Sequence, residues 1–200
     1  MKLIAWDFDG VLNRGFEGGF LLWQETFEAD LGVSAKAFTA FMFEGSRFAE
    51  VLIGKRDLLD LLGDYVTSQK VPHRPERVLD YWLSKDARED GQVVDWAAAC
   101  GVPGVIATNN ERHRAGYIWD RMGFSQRMRH MFASGPMGVS KPDARFYAAI
   151  EDWSGLAGGD LLLVDDSEKN IHAAAARGWQ VFHFTDETRD GLPEVLGLSP

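Results

Sequence analysis

Two short apolar runs in this chain end directly on acid. Leu3-Ile4-Ala5-Trp6 leads into Asp7-Phe8-Asp9-Gly10, and Leu161-Leu162-Leu163-Val164 into Asp165-Asp166-Ser167. A third run, Gly104-Val105-Ile106-Ala107, ends on Thr108-Asn109-Asn110, a hydroxyl followed by two amides. Four carboxylates brought to one place would repel each other strongly. A hard cation relieves that repulsion, and Mg2+ suits carboxylate oxygens, a backbone carbonyl and retained waters.

A parallel sheet would bring them together. Each apolar run reads as a buried strand with a loop at its carboxyl end. From about residue 91 strands and helices alternate. Residues 93–100 read as a helix, 104–108 as a strand and 111–122 as a helix ended by Gly123. Residues 142–153 read as a helix with proline in its first turn, and 161–164 as a strand. A helix over 168–177 closed by Gly178 and a strand over 179–184 complete the set, and the tail from Thr185 reads as polar and peripheral. This alternation predicts an α/β fold, a Rossmann-like open parallel sheet covered on both faces. All its strands end at one edge, where ligands bind.

Between Phe20 and Arg88 the rhythm is helical throughout. Phe20, Trp23, Phe27 and Leu31 recur at helical spacing, as do Leu58, Leu61, Leu62 and Tyr65, then Val78, Leu79, Trp82 and Leu83. The chain therefore divides into an α/β core, residues 1–15 and 90–200, and an inserted helical cap domain, residues 16–89. The glycine-rich stretch 15–19 and the region near Gly91 are the expected hinges.

Composition narrows the partners. Of 200 residues, 46% are apolar and 26% charged, an ordinary globular balance. The net charge of −9 argues against nucleic acid or an anionic membrane as the partner. No apolar run approaches the ~18 residues of a membrane helix. The single cysteine, Cys100, excludes an internal disulfide framework and reads as a small buried residue. His73, His113, His130, His172 and His183 show no i, i+4 pair of a helical zinc site. The expected setting is a reducing cytoplasm.

Asp7-Phe8-Asp9-Gly10-Val11, Thr108-Asn109, Lys141-Pro142 and Val164-Asp165-Asp166-Ser167 with Asn170 resemble the four motifs of the haloacid dehalogenase-like hydrolase superfamily, in that family's order. The match spans the α/β part, about two thirds of the chain, and the helical insertion stands where the family carries its first-type cap. The resemblance implies a phosphatase of small phosphorylated metabolites. Asp7 becomes the nucleophile that forms an aspartyl-phosphate. Asp9 becomes the acid and base, its backbone carbonyl a Mg2+ ligand, and a raised pKa would help it donate. Thr108, Asn109 and Gly10 would face the phosphoryl group, and Lys141 would neutralise charge between it and Asp7. Asp7, Asp9 and Asp166 would hold Mg2+. Asp165 would bind directly or through water, and Asn170 would hold Lys141 or Asp166 in place.

The cap is less legible. Phe38, Phe41, Phe43 and Phe48 read as cap core rather than a ligand cage, and Arg47 is a guess at substrate contact. Two alternatives stay open. A 2-haloacid dehalogenase would use the same nucleophile on carbon, but halide leaves without a proton, and Asp9 argues for phosphorus. A non-catalytic binding protein could keep the fold. A mutase is disfavoured because Asn13-Arg14-Gly15-Phe16 lacks the expected histidine and lysine. Lys36 and Lys55 leave a phosphonate-cleaving variant open. The oligomeric state is not legible.

Overall fold

A computed structural model describes residues 1–17 and 20–198. Strand β1 (Leu3–Trp6) leads to a short hairpin, β2 (Phe16–Glu17) and β3 (Phe20–Leu21). Five helices follow: α1 (Phe27–Leu31), α2 (Ala35–Phe43), α3 (Arg47–Leu52), α4 (Leu58–Ser68) and α5 (Pro75–Asp86). Then come α6 (Gly91–Ala99), β4 (Gly104–Thr108), α7 (Arg112–Gly116), β5 (Met131–Ala133), α8 (Ser134–Met137) and α9 (Ala144–Ser154). The chain closes with β6 (Leu161–Asp165), α10 (Glu168–Ala176), β7 (Gln180–His183) and α11 (Leu192–Val195).

The main sheet is parallel, in the order β5-β4-β1-β6-β7. It is a Rossmann-like α/β fold. Strand order steps outward from β1 through β4 to β5, then restarts on the other side at β6. The crevice at that reversal, beyond the ends of β1 and β6, is where such sheets take ligands. Alternate residues of β1 enter two separate apolar layers. Ile4 and Trp6 pack with Ile106, Leu162 and Val164 on one face, and Leu3 and Ala5 with Val105, Leu161 and Leu163 on the other.

Residues 23–83 carry an apolar core of their own, built on Trp23, Phe27, Phe38, Leu61, Val78 and Trp82. In α4 the buried positions are 58, 61, 62 and 65, one stripe of a 3.6-residue helix. This layer is tied to the sheet layer. Asp57, which caps α4 through the Leu59 amide, also meets His113 Nε2 at 2.8 Å and Arg112 Nη2 at 2.7 Å. The Ser134 hydroxyl donates to the Leu52 carbonyl at 2.5 Å.

Several expectations need correction. The stretch read as purely helical begins with the β2–β3 hairpin, and Phe20 belongs to β3. The three-residue strand β5 is too short to register as an apolar run. Asp143 is the N-cap of α9, accepting from the Arg145 amide at 2.9 Å, so Pro142 precedes the helix rather than opening it. The helix after β4 continues over Tyr117–Arg121 as a π-helical turn. The tail is not peripheral: Leu192 and Leu196 are buried in the sheet's apolar layer. Gly91 opens α6, whose cap Asp90 is pinned by Arg189 at 2.5 and 2.6 Å. Gly18 and Gly19 of the other expected hinge lie outside the described residues. Cys100 is half-buried, with its thiol donating to the Ala97 carbonyl at 3.3 Å. Among the described residues no helix is long and apolar enough to cross a membrane.

Candidate active site

The Asp7 amide donates to the Val164 carbonyl at 2.8 Å, which fixes the exit from β1 beside the end of β6. Lys141 Nζ reaches into the same crevice, 3.0 Å from Asp7 Oδ1 and 2.6 Å from Asp165 Oδ2. All three side chains are buried. Burial alone would lower the Lys141 pKa, but Asp7 and Asp165 outweigh it and hold the ammonium charged above its ordinary value. The acids feel the opposite balance. Burial pushes the Asp7 carboxyl well above its ordinary range, and repulsion from Asp165 and Asp166 adds to that against the pull of Lys141. Burial and Asp165 raise Asp166 in the same sense. One lysine does not balance three carboxylates, and the cluster is short of positive charge.

One oxygen each from Asp7, Asp165 and Asp166 lies within 4.8 Å of the others. Asp165 is already committed. Its Oδ1 accepts from the Ser167 amide and Asn170, and its Oδ2 from Lys141 and Asn170, at 2.6 to 3.1 Å. Asn170, expected against Lys141 or Asp166, thus orients Asp165 instead. Asp7 Oδ2 and the Asp166 carboxylate keep capacity for a hard cation. Gly10 makes room for Asp166. Its φ is +84°, and a Cβ there would stand 2.2 Å from Asp166 Oδ2. An all-oxygen donor set with this charge fits Mg2+.

The end of β4 supplies the polar wall. Thr108 is buried, its hydroxyl accepting from Asn110 Nδ2 at 2.7 Å. The Asn109 side chain is spent on Lys141, donating to its carbonyl at 2.9 Å and accepting from its amide at 2.8 Å. Asn109 therefore places Lys141 through both ends of its side-chain amide.

Asp9 departs most from expectation. Arg114 Nη2 lies 2.6 Å from its Oδ1, and Asn110 and Asn13 donate to the carboxylate at 2.9 and 3.2 Å. Burial would raise this acid, but Arg114 and the amides outweigh burial and hold its pKa below the ordinary value. The expected rise is corrected to a fall. Arg114 Nη1 also binds Oδ2 of Asp86, the last residue of α5, at 2.7 Å. For Asp86 burial wins over Arg114, and its pKa is pushed up to about 6. Asn13 links the same place, donating to the Asp86 carbonyl at 2.9 Å and accepting from the Arg88 amide at 2.7 Å.

Arg114, Asp86, Asn110 and Asn13 escaped the sequence reading. One signal existed: Arg114 stands in the first turn of the helix that follows Thr108-Asn109-Asn110, its amide donating to the cap Glu111. Arg47 is not brought to the site. Its guanidinium binds the Phe41 and Glu44 carbonyls at 2.9 and 3.4 Å, where the end of α2 attracts a cation. The phenylalanine stripe splits. Phe38 is buried in the helical core, while Phe43 and Phe48 line a cleft of about 280 Å³ above Asp9 and Gly10.

A family model described as haloacid dehalogenase-like hydrolase matches residues 1–178. No curated protein matches the chain. Among solved structures, a family enzyme from Bacteroides thetaiotaomicron, in complex with magnesium and inorganic phosphate, is 14% identical with a TM-score of 0.74. That match covers 92% of this chain and 94% of that one. A predicted haloacid dehalogenase-like family hydrolase from Porphyromonas gingivalis is 16% identical, TM-score 0.73, covering 100% and 99%. L-2-haloacid dehalogenase from Xanthobacter autotrophicus is 13% identical, TM-score 0.66, covering 100% and 84%. At these identities the likeness speaks to the fold.

Proposed function

The chain belongs to the haloacid dehalogenase-like hydrolase family, and from that premise we propose that it is a Mg2+-dependent phosphatase of small phosphate monoesters. The observation that carries this reading is the excess of carboxylate around Lys141. Asp7, Asp165 and Asp166 crowd into a crevice that one ammonium does not neutralise. Phosphoryl transfer brings still more negative charge and calls for a cation. Displacement of halide from carbon needs neither a metal nor a proton donor.

In this reading the Asp7 carboxylate attacks phosphorus in line with the leaving oxygen. The bond from phosphorus to that oxygen breaks, and Asp7 carries the phosphoryl group as an acyl phosphate. Water then attacks phosphorus and frees Asp7. Asp7, Asp166 and the Asp9 carbonyl would hold Mg2+, which when bound offsets charge on the phosphoryl oxygens. Lys141 faces the same charge, and Thr108 and the Asn109 backbone amide offer donors. Asp9 as a carboxylate suits the hydrolytic half, taking a proton from the attacking water. That proton is the one the next leaving alcohol requires. The helical layer over the crevice acts as a cap that excludes bulk water.

The Asp9–Arg114 pair gives the dehalogenase reading one point, because an acid held ionised is a poor proton donor. One assay separates the two. Aryl phosphate should be hydrolysed with Mg2+ and not with chelator, and 2-chloropropionate should release no chloride. Chloride release without phosphatase activity overturns the proposal.

A further inference from the structure

The cleft above Asp9 and Gly10 has two unlike ends. Its floor is Asp9 and Gly10, and Gly10 borders the carboxylate crevice at Asp166; much of its wall comes from the helical layer. Phe43, Phe48 and Trp82 form a cluster of three rings on that wall. Phe43 lies 4.7 Å from Phe48 and 5.8 Å from Trp82 between ring centres, and Phe48 lies 6.0 Å from Trp82. Leu21 and Leu52 extend the apolar surface. Phe43 is 37% exposed, although Trp23 and Phe38, which pack on the same Trp82 ring, are fully buried. An apolar ring left open on the wall of a cleft gains when a ligand covers it.

The charges on the same wall are already spent. Among the described residues lining the cleft, Arg114 is the one cation. Its two terminal guanidinium nitrogens are bound to Asp9 at 2.6 Å and Asp86 at 2.7 Å, and it is 8% exposed. Asn110 is committed to Asp9 and Thr108, and Asn109 to the Lys141 backbone. A second anionic group on a substrate would meet two carboxylates and one cation already paired with both. It would lose its hydration without recompense.

We propose that the site selects phosphate monoesters whose leaving group is uncharged and presents a flat apolar or aromatic face. Such a group lies against Phe43, Phe48 and Trp82 while its phosphate reaches Asp7. This deepens the phosphatase reading and rests on it. A cleft of about 280 Å³ is at the small end for small-molecule sites and suits a group of one or two rings. Ring stacking favours it. A second phosphate, or a carboxylate as in phosphoglycolate, is disfavoured by the wall.

The test compares kcat/KM, with Mg2+, for 2-naphthyl phosphate, methyl phosphate, phosphoglycolate and a sugar bisphosphate. It uses the wild-type chain and Phe43→Ala, an exposed position where truncation leaves the core intact. Naphthyl phosphate should lead the panel. Phe43→Ala should lower the naphthyl-to-methyl ratio of kcat/KM by roughly 3–10-fold, the worth of one ring contact. Faster release from phosphoglycolate or the bisphosphate overturns this selectivity and leaves the phosphatase reading standing. An unchanged ratio in Phe43→Ala also overturns it. No phosphate release from any ester overturns both.

Discussion

Replacing Asp86 with asparagine should make the protein more stable at alkaline pH, although it removes one half of a 2.7 Å ion pair with Arg114. Burial pushes the Asp86 carboxyl from an ordinary 3.8 up to about 6, against the pull of Arg114 and with the push of Asp9. At ~1.36 kcal/mol per pH unit, ionising it in the folded chain costs ~3 kcal/mol relative to the unfolded chain. The sign follows from proton binding. The folded state holds this proton more tightly, so its contribution is full below about pH 4 and is lost as pH rises through 6. Asparagine mimics the protonated acid at every pH. Asp86→Asn should therefore match the wild type near pH 4 and exceed it at pH 8 by up to ~3 kcal/mol. For a chain of this length that is a rise of roughly 6–12 °C in Tm. Urea and thermal unfolding at both pH values read it directly. A variant destabilised by ~3 kcal/mol at pH 8 would refute the reasoning, because the buried pair would then outweigh its desolvation.

Lys141→Met should cost ~3–5 kcal/mol, since it leaves Asp7 and Asp165 buried without their cation. Mg2+ should restore part of that stability in urea titrations, and a loss under ~1 kcal/mol would show the lysine to be dispensable to the fold. Gly10→Ala should weaken Mg2+ binding by about 10–100-fold in calorimetric titration, because its Cβ would stand 2.2 Å from Asp166 Oδ2. Unchanged affinity would remove Asp166 from the metal site. Leu192→Ala should cost ~2–5 kcal/mol in the same unfolding assays. A cost below ~0.5 kcal/mol would return the tail to the periphery.

The site was legible where strand ends and acids coincide. Asp7, Thr108 and Asp165 each sit at the end of an apolar run, and parallel strands deliver such ends to one edge whatever the loops do. What joins the two layers was not legible. Arg114 reads as an ordinary helical cation until Asp86, from a distant helix, is set beside it. With the amides of Asn110 and Asn13 it reverses the expected pKa of Asp9, because the charge 2.6 Å away and those hydrogen bonds together outweigh burial. Phe43 and Phe38 carry the same side chain five residues apart, yet one faces the cleft and the other the core. Composition cannot distinguish them, because α2 ends at Phe43 and its stripe ends with it. Leu192 and Leu196 follow the polar run 185–190, and two leucines four residues apart make only one turn of stripe.

The central claim is that Asp7 forms a covalent bond to phosphorus. Borohydride added during turnover reduces an acyl phosphate to the alcohol, converting that aspartate to homoserine. Peptide mass analysis should find homoserine at position 7 when both Mg2+ and an aryl phosphate are present, and intact aspartate when either is left out. Phosphate release with Asp7 unmodified, or homoserine at another aspartate, would contradict the account.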